Sequence, residues 1–183
     1  MAARKTTTTS TDKVETVVAE NKIETAKEEK PIVPKEIDLN QYITVINGFQ
    51  GSLVFKNPKT GEIFRWAEFG DEQDIELREL KGIKSYAKNF FANNWFMFNR
   101  DDYWVIDYLG LSQYYKYAIN LEEFDALFEK SAEEIKKTVS KLSAGQKKSV
   151  AYRARQLVSE DVIDSRKTIK SLEEALGVEL IEK

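Results

Sequence analysis

The chain of 183 residues contains no cysteine and no histidine. Without cysteine there is no disulfide framework, no thiolate zinc site, no iron–sulfur cluster and no thiol nucleophile. Without histidine the commonest general base, the usual triad relay and the favoured imidazole metal ligand are missing. No run of about 18 apolar residues occurs, so no membrane-spanning helix and no membrane partner are expected. The first residues, Met1-Ala2-Ala3-Arg4-Lys5-Thr6, are not followed by an apolar stretch, so no secretory signal is expected either. What remains is carboxylate, lysine or tyrosine chemistry, or binding. The expectation is a binding or structural protein with no enzymatic activity and no cofactor, made inside the cell.

Aromatic residues are also missing from one whole region. Residues 1–41 contain no Phe, Trp or Tyr, and they hold a threonine tract, scattered charges and Pro31 and Pro34. Such a segment cannot bury enough apolar surface to offset its ordering entropy. It is expected to be a disordered or extended tail, either a solvated linker or a tether that orders on a neighbour. Acids and bases nearly cancel in it, which argues against a basic arm for nucleic acid.

Residues 42–119 carry nearly all the aromatics and are expected to form an α+β domain. Tyr42-Ile43-Thr44-Val45-Ile46, Ser52-Leu53-Val54-Phe55-Lys56 and Glu62-Ile63-Phe64-Arg65-Trp66 are rich in β-branched and aromatic residues. They read as one small antiparallel sheet. Asn57-Pro58-Lys59-Thr60-Gly61 supplies a turn with Pro at its second position and Gly for a left-handed residue. The period then changes. Asp71 and Asp74 read as a capped helix start, with Leu80, Ile83, Ala87, Phe90 and Phe91 at helical spacing and Asn93-Asn94 as the stop. Trp95-Phe96-Met97-Phe98 and Tyr103-Trp104-Val105-Ile106 flank the turn Asn99-Arg100-Asp101-Asp102, as a hairpin or, the preferred reading, as a short strand followed by a helix running into Tyr108-Leu109.

Residues 120–183 are expected to form an all-helical subdomain. Asn120, Ser131 and Ser143 each precede an acid or amide by three residues, the spacing of a helix cap. Ser165 begins a fourth helix and Gly177 ends it. Stripes such as Ile135, Val139 and Leu142, or Val150, Ala154 and Leu157, would close a bundle.

Four constellations are candidates for chemistry. The acids Glu68, Asp71, Glu72, Asp74, Glu76 and Glu79 are read as caps and a solvated face, with a hard-cation site as the alternative. Asp101, Asp102 and Asp107 are paired carboxylates that turns favour in any case. Lys147, Lys148, Tyr152, Arg153 and Arg155 form a basic stretch with an interleaved aromatic. On a helix, Lys148, Tyr152 and Arg155 share a face opposite Val150, Ala154 and Leu157, where phosphate or an acidic partner would be met. Phe91, Trp95, Phe96, Phe98, Tyr103 and Trp104 are dense enough that part of the block is expected to be a protein-docking surface.

Four stretches carry a family resemblance: Ile46-Asn47-Gly48-Phe49-Gln50-Gly51, Phe69-Gly70-Asp71-Glu72-Gln73, Asn94-Trp95-Phe96-Met97-Phe98, and residues 142–157, Leu-Ser-Ala-Gly-Gln-Lys-Lys-Ser-Val-Ala-Tyr-Arg-Ala-Arg-Gln-Leu. Together they resemble a recurrent small protein of tailed phages and prophages of Gram-positive bacteria. The resemblance covers residues 42–183 and brings no catalytic residues with it. It implies a virion protein, synthesised in the host cytoplasm, that meets other virion proteins in a multi-copy assembly. A nucleic-acid-binding accessory role for the basic stretch is the alternative.

Overall fold

The computed structural model describes residues 36–181, so the expectations for residues 1–35 lie outside the described residues. The fold is α+β: small antiparallel sheets with helices, followed by an all-helical C-terminal region. The body begins a little before the expected end of the tail. Ile37 packs against the core, and the carbonyls of Leu39 and Gln41 accept from the backbone of Arg78 and Leu77.

The central strand is β1 (Tyr42–Asn47), whose alternating Ile43 and Val45 are buried. It lies antiparallel between β4 (Glu72–Glu76) and β5 (Phe96–Phe98), with Tyr42 opposite Glu76 and Val45 opposite Phe98. The strands β2 (Leu53–Lys56) and β3 (Ile63–Trp66) form a separate two-stranded hairpin. Its turn is as expected: Asn57 Oδ1 accepts from the backbone of Lys59 and Thr60, and Gly61 has φ +77°.

Two expectations are corrected here. A single sheet over residues 42–66 does not form, because the link after β1 is not a hairpin turn. The Asn47 side chain donates to the carbonyls of Gly51 and Glu68 and accepts from Phe49 N–H, which turns the chain out of the sheet. Nor do Asp71 and Asp74 start a helix. Residues 72–76 are a strand with Ile75 fully buried, since β1 offers a ladder partner for each residue. Asp71 accepts from the backbone of Ala67 and Glu68, and Asp74 accepts from the Thr44 hydroxyl.

The helix starts later, as α1 (Leu77–Tyr86), with Leu77, Leu80 and Ile83 buried on one face. A short α2 (Asn89–Ala92) follows, and Asn94 with φ +54° stops it. After β5 come a 3-10 turn (Arg100–Asp102), α3 (Trp104–Tyr108) and α4 (Ser112–Tyr115), so the strand-then-helix reading holds. This half is filled by rings. Phe55 meets Phe64, Tyr86, Phe90 and Phe96, while Trp66 donates its Nε1–H to the Val45 carbonyl at 3.0 Å.

The helical half contains α5 (Leu121–Phe124), continued by a 3-10 turn (Asp125–Leu127), then α6 (Ala132–Lys141), α7 (Ala144–Ser159) and α8 (Arg166–Leu176). Asn120, Ser131, Ser143 and Ser165 all cap as read, Ser131 with Glu134 in a reciprocal box, and Gly177 closes α8 with φ +70°. A second core gathers Phe124, Ile135, Val139, Val150, Leu157, Ile169 and their neighbours between residues 119 and 180.

Candidate functional site

The four stretches that carry the family resemblance meet in space, around Asn47. Asn47 is fully buried, its N–H donates to the Asp71 carbonyl, and its carbonyl accepts from Gly70 N–H, both at 2.9 Å. Gly48 N–H donates to the Trp95 carbonyl at 2.8 Å. From the other half, Ser149 Oγ on α7 donates to the Gly48 carbonyl at 2.9 Å and Ser143 Oγ to the Asn93 carbonyl at 3.1 Å. The sheet half and the helical half are thus joined by a polar seam, in which the Ser149 contact is buried and the Ser143 contact partly buried.

Two glycines make the approach close enough. A Cβ on Gly145 would overlap the Asn93 carbonyl, and one on Gly48 would overlap that of Asn94. Gln146 completes the seam. Its side-chain amide accepts from Ile119 N–H at 3.1 Å and donates to the Ile119 carbonyl at 2.6 Å. The cap spacing of Ser143 and Gln146 therefore hides an asymmetry: Ser143 caps the backbone N–H of Gln146, but the Gln146 side chain faces the other way.

A cleft of about 470 Å³ opens beside this seam, between the loop after β1 and the helices α5 and α7. Gln50, Phe69 and Leu121 line it with Tyr152, Arg153 and Gln156. Arg153 is held there. Its guanidinium donates to both Asp125 oxygens at 3.0 and 2.7 Å, and to Gln156 Oε1 at 2.9 Å. The bond to Asp125 raises the Arg153 pKa, against a smaller opposing effect of desolvation. A guanidinium so engaged has few donors left for phosphate.

The rest of the basic stretch divides by face. Lys148, Tyr152 and Arg155 are exposed and lie opposite the buried Val150, Ala154 and Leu157, as the helical wheel requires. The Arg155 guanidinium donates to the Glu179 carbonyl at 3.2 and 3.3 Å, strapping α7 to the chain after α8. Lys147 is half-buried. Among the described residues neither Lys147 nor Lys148 has an ion-pair partner. Tyr152, at 57% exposure, leaves its ring open to solvent.

The aromatic block is not a docking surface as a whole. Phe91, Phe96, Phe98 and Trp104, carried by α2, β5 and α3, are buried in the first core. Trp95 and Tyr103 are half-buried, and Trp95 packs edge-on against Phe49 and Phe90.

The acids are distributed rather than gathered. Glu76 pairs with Arg78, Glu79 accepts from Asn57, and Asp107 accepts from Ser112. Burial raises the Asp102 pKa, opposed by a backbone N–H from Thr44. Among the described residues no three Asp or Glu converge as a metal site would need. Sequence reasoning missed a different cluster: Lys116 and Lys141 both lie over the ring of Tyr117, at 5.2 and 5.4 Å from its centre. Lys141 is four residues beyond Lys137 on a charged helix and Tyr117 sits in an irregular link, so no local pattern ties them together. Set against known proteins, the chain matches no family model, no curated protein sequence and no solved structure.

Proposed function

We propose that this chain is a non-enzymatic structural or accessory component of a tailed-phage virion, present in many copies and held by contacts with other virion proteins. One observation carries the reading. The stretches that resemble the phage family are spent on a buried seam that fixes two halves as one body. That is what a part needs when its task is to hold a shape among neighbours. Contacts would be made through the N-terminal tether and the exposed tyrosines Tyr117 and Tyr152, amphipathic side chains suited to interfaces. The buried aromatic block contributes rigidity instead. Quantitative mass spectrometry of purified particles tests the reading. A fixed copy ratio to the major shell protein is expected, and absence of the chain from particles would contradict it.

A second reading, nucleic-acid binding by α7, is favoured by one feature: Lys148 and Tyr152 are exposed side by side without partners among the described residues. It is narrower than the sequence suggested, since Arg153 and Arg155 are engaged elsewhere. A salt titration of duplex binding separates it. Neutralising Lys148 should lower the slope of log affinity against log salt by about one. Binding that is flat in salt, or absent, removes this reading.

A further inference from the structure

We propose that the outer edge of β2 is a docking site for an extended acidic strand of a partner protein, added to the β2–β3 hairpin by main-chain pairing. The register defines the edge. Asn57 N–H donates to the Glu62 carbonyl at 2.8 Å, so the ladder starts from a bonded position at the turn. Bonded and non-bonded pairs alternate along an antiparallel ladder. Phe55 with Phe64 and Leu53 with Trp66 are therefore bonded pairs, whereas Lys56 with Ile63 and Val54 with Arg65 are not. The N–H and C=O groups of Val54 and Lys56 thus point away from β3. Among the described residues these groups have no hydrogen-bond partner. The other side of the hairpin is occupied, since β3 lies beside β4. This leaves β2 as an open edge, with alternating donors and acceptors ready for another strand.

The side chains on the hairpin's outer face set the chemistry of the occupant. Val54 and Ile63 are 48% and 46% exposed, and Lys56 and Arg65 are exposed beside them. The register puts the two cations on one diagonal of this face and the two apolar residues on the other. Neither Lys56 nor Arg65 belongs to an ion pair among the described residues. On the inner face Phe55 is buried among rings. An added strand would meet cations on one side and an apolar row on the other, which calls for acids alternating with apolar residues. A second copy is a poor occupant. Pairing two β2 strands would gather the Lys56 and Arg65 of both copies on one sheet face, where like charges repel. A phosphodiester could accept from the free N–H groups, but it has no donor for the two carbonyls.

The edge is argued apart from the phage reading, and copy number in particles is blind to it, so the two fail separately. The test is amide exchange with water in the full chain, read residue by residue by nuclear magnetic resonance. The probe is the end-blocked peptide Glu-Val-Glu-Val-Glu, with Lys-Val-Lys-Val-Lys as its charge-reversed counterpart. With the acidic peptide at about ten times its dissociation constant, Val54 and Lys56 should exchange about tenfold more slowly, because only the unbound fraction exchanges. Ile63 and Arg65, whose amides face the other way, should be unchanged. The lysine peptide at the same concentration should slow neither Val54 nor Lys56. Val54→Pro removes an outward N–H without touching the bonds to β3, and it should abolish the protection. Lys56→Glu with Arg65→Glu keeps every backbone group and should transfer the preference to the lysine peptide. No protection by either peptide, equal protection by both, or an acidic preference that survives the double reversal would overturn the proposal. So would slow exchange of Val54 and Lys56 without any peptide. Slowing lost on dilution would assign the edge to a second copy, and slowing that persists would assign it to the chain itself.

Discussion

The side chain of Gln146 satisfies both backbone groups of Ile119, its amide nitrogen lying 2.6 Å from the Ile119 carbonyl and its oxygen 3.1 Å from the Ile119 nitrogen. All three residues of the contact's surroundings that matter, Gln146, Ile119 and Ser149, are buried, so water cannot replace a lost bond. Gln146→Leu should destabilise the chain by about 2–3 kcal/mol, because a buried donor and acceptor are orphaned together. Denaturant midpoints measure this. Gln146→Glu should be worst at neutral pH and recover as the pH falls, since only a protonated carboxyl can both donate and accept there.

Gly145 makes the same seam by having no side chain. In an open helix, glycine to alanine gains about 1 kcal/mol of helix propensity. Here the new methyl meets the Asn93 carbonyl and Cβ, and backbone cannot swing aside. Gly145→Ala should therefore lose stability by about 1–3 kcal/mol. Thermal unfolding gives the sign directly, and a stabilised variant would show that the halves are further apart than described.

Stability at acid pH should reflect two exposed carboxylates. The Ser131 hydroxyl and amide hold the Glu134 pKa below its usual value, and Lys136 does the same for Glu174. Each group binds a proton less readily folded than unfolded. Its contribution is thus present above the unfolded value, near pH 4.5, and is lost as the pH falls through the lower folded value. Ser131→Ala should return the Glu134 titration, followed by carboxyl carbon shifts, toward its ordinary midpoint and flatten that part of the acid limb.

Tyr115 acts at the other end of the scale. Its hydroxyl donates to the Phe96 carbonyl at 2.6 Å, and burial pushes its pKa well above the ordinary value of 10. The folded state holds this proton more tightly, so stability is full below pH 10 and falls as the pH rises beyond it. Tyr115→Phe should cost about 1–2 kcal/mol at neutral pH from the lost bond. The same variant should lose less stability than the parent chain above pH 10, a crossing that alkaline denaturation curves would reveal.

The parts of the fold visible in the sequence are those decided locally. The caps at Asn120, Ser131, Ser143 and Ser165, the stop at Asn94 and the turn at Gly61 all depend on residues within a few positions of one another. Strand pairing was misread because β1 finds its partners far along the chain, from Glu72 to Glu76 and from Phe96 to Phe98, where no neighbour rule reaches. Asp71 and Asp74 carried a helix-start signal, yet the ladder with β1 and the burial of Ile75 outweighed it. Of the candidate site, the exposed face of Lys148 and Tyr152 was legible from the helical period. The seam was half legible. Gly145 and Ser149, small residues four apart on a charged helix, mark a face that another backbone approaches. The engagement of Arg153 by Asp125, across 28 positions, had no such signal.

Two optical probes of one unfolding experiment bear most directly on the idea that the seam makes one body of two halves. All three tryptophans, Trp66, Trp95 and Trp104, belong to the sheet half, whereas α6, α7 and α8 dominate the helical signal. In denaturant, tryptophan fluorescence and far-ultraviolet circular dichroism at 222 nm should trace the same transition with the same midpoint and slope. Two separated transitions in the unaltered chain, one for each probe, would contradict the seam as the element that joins them.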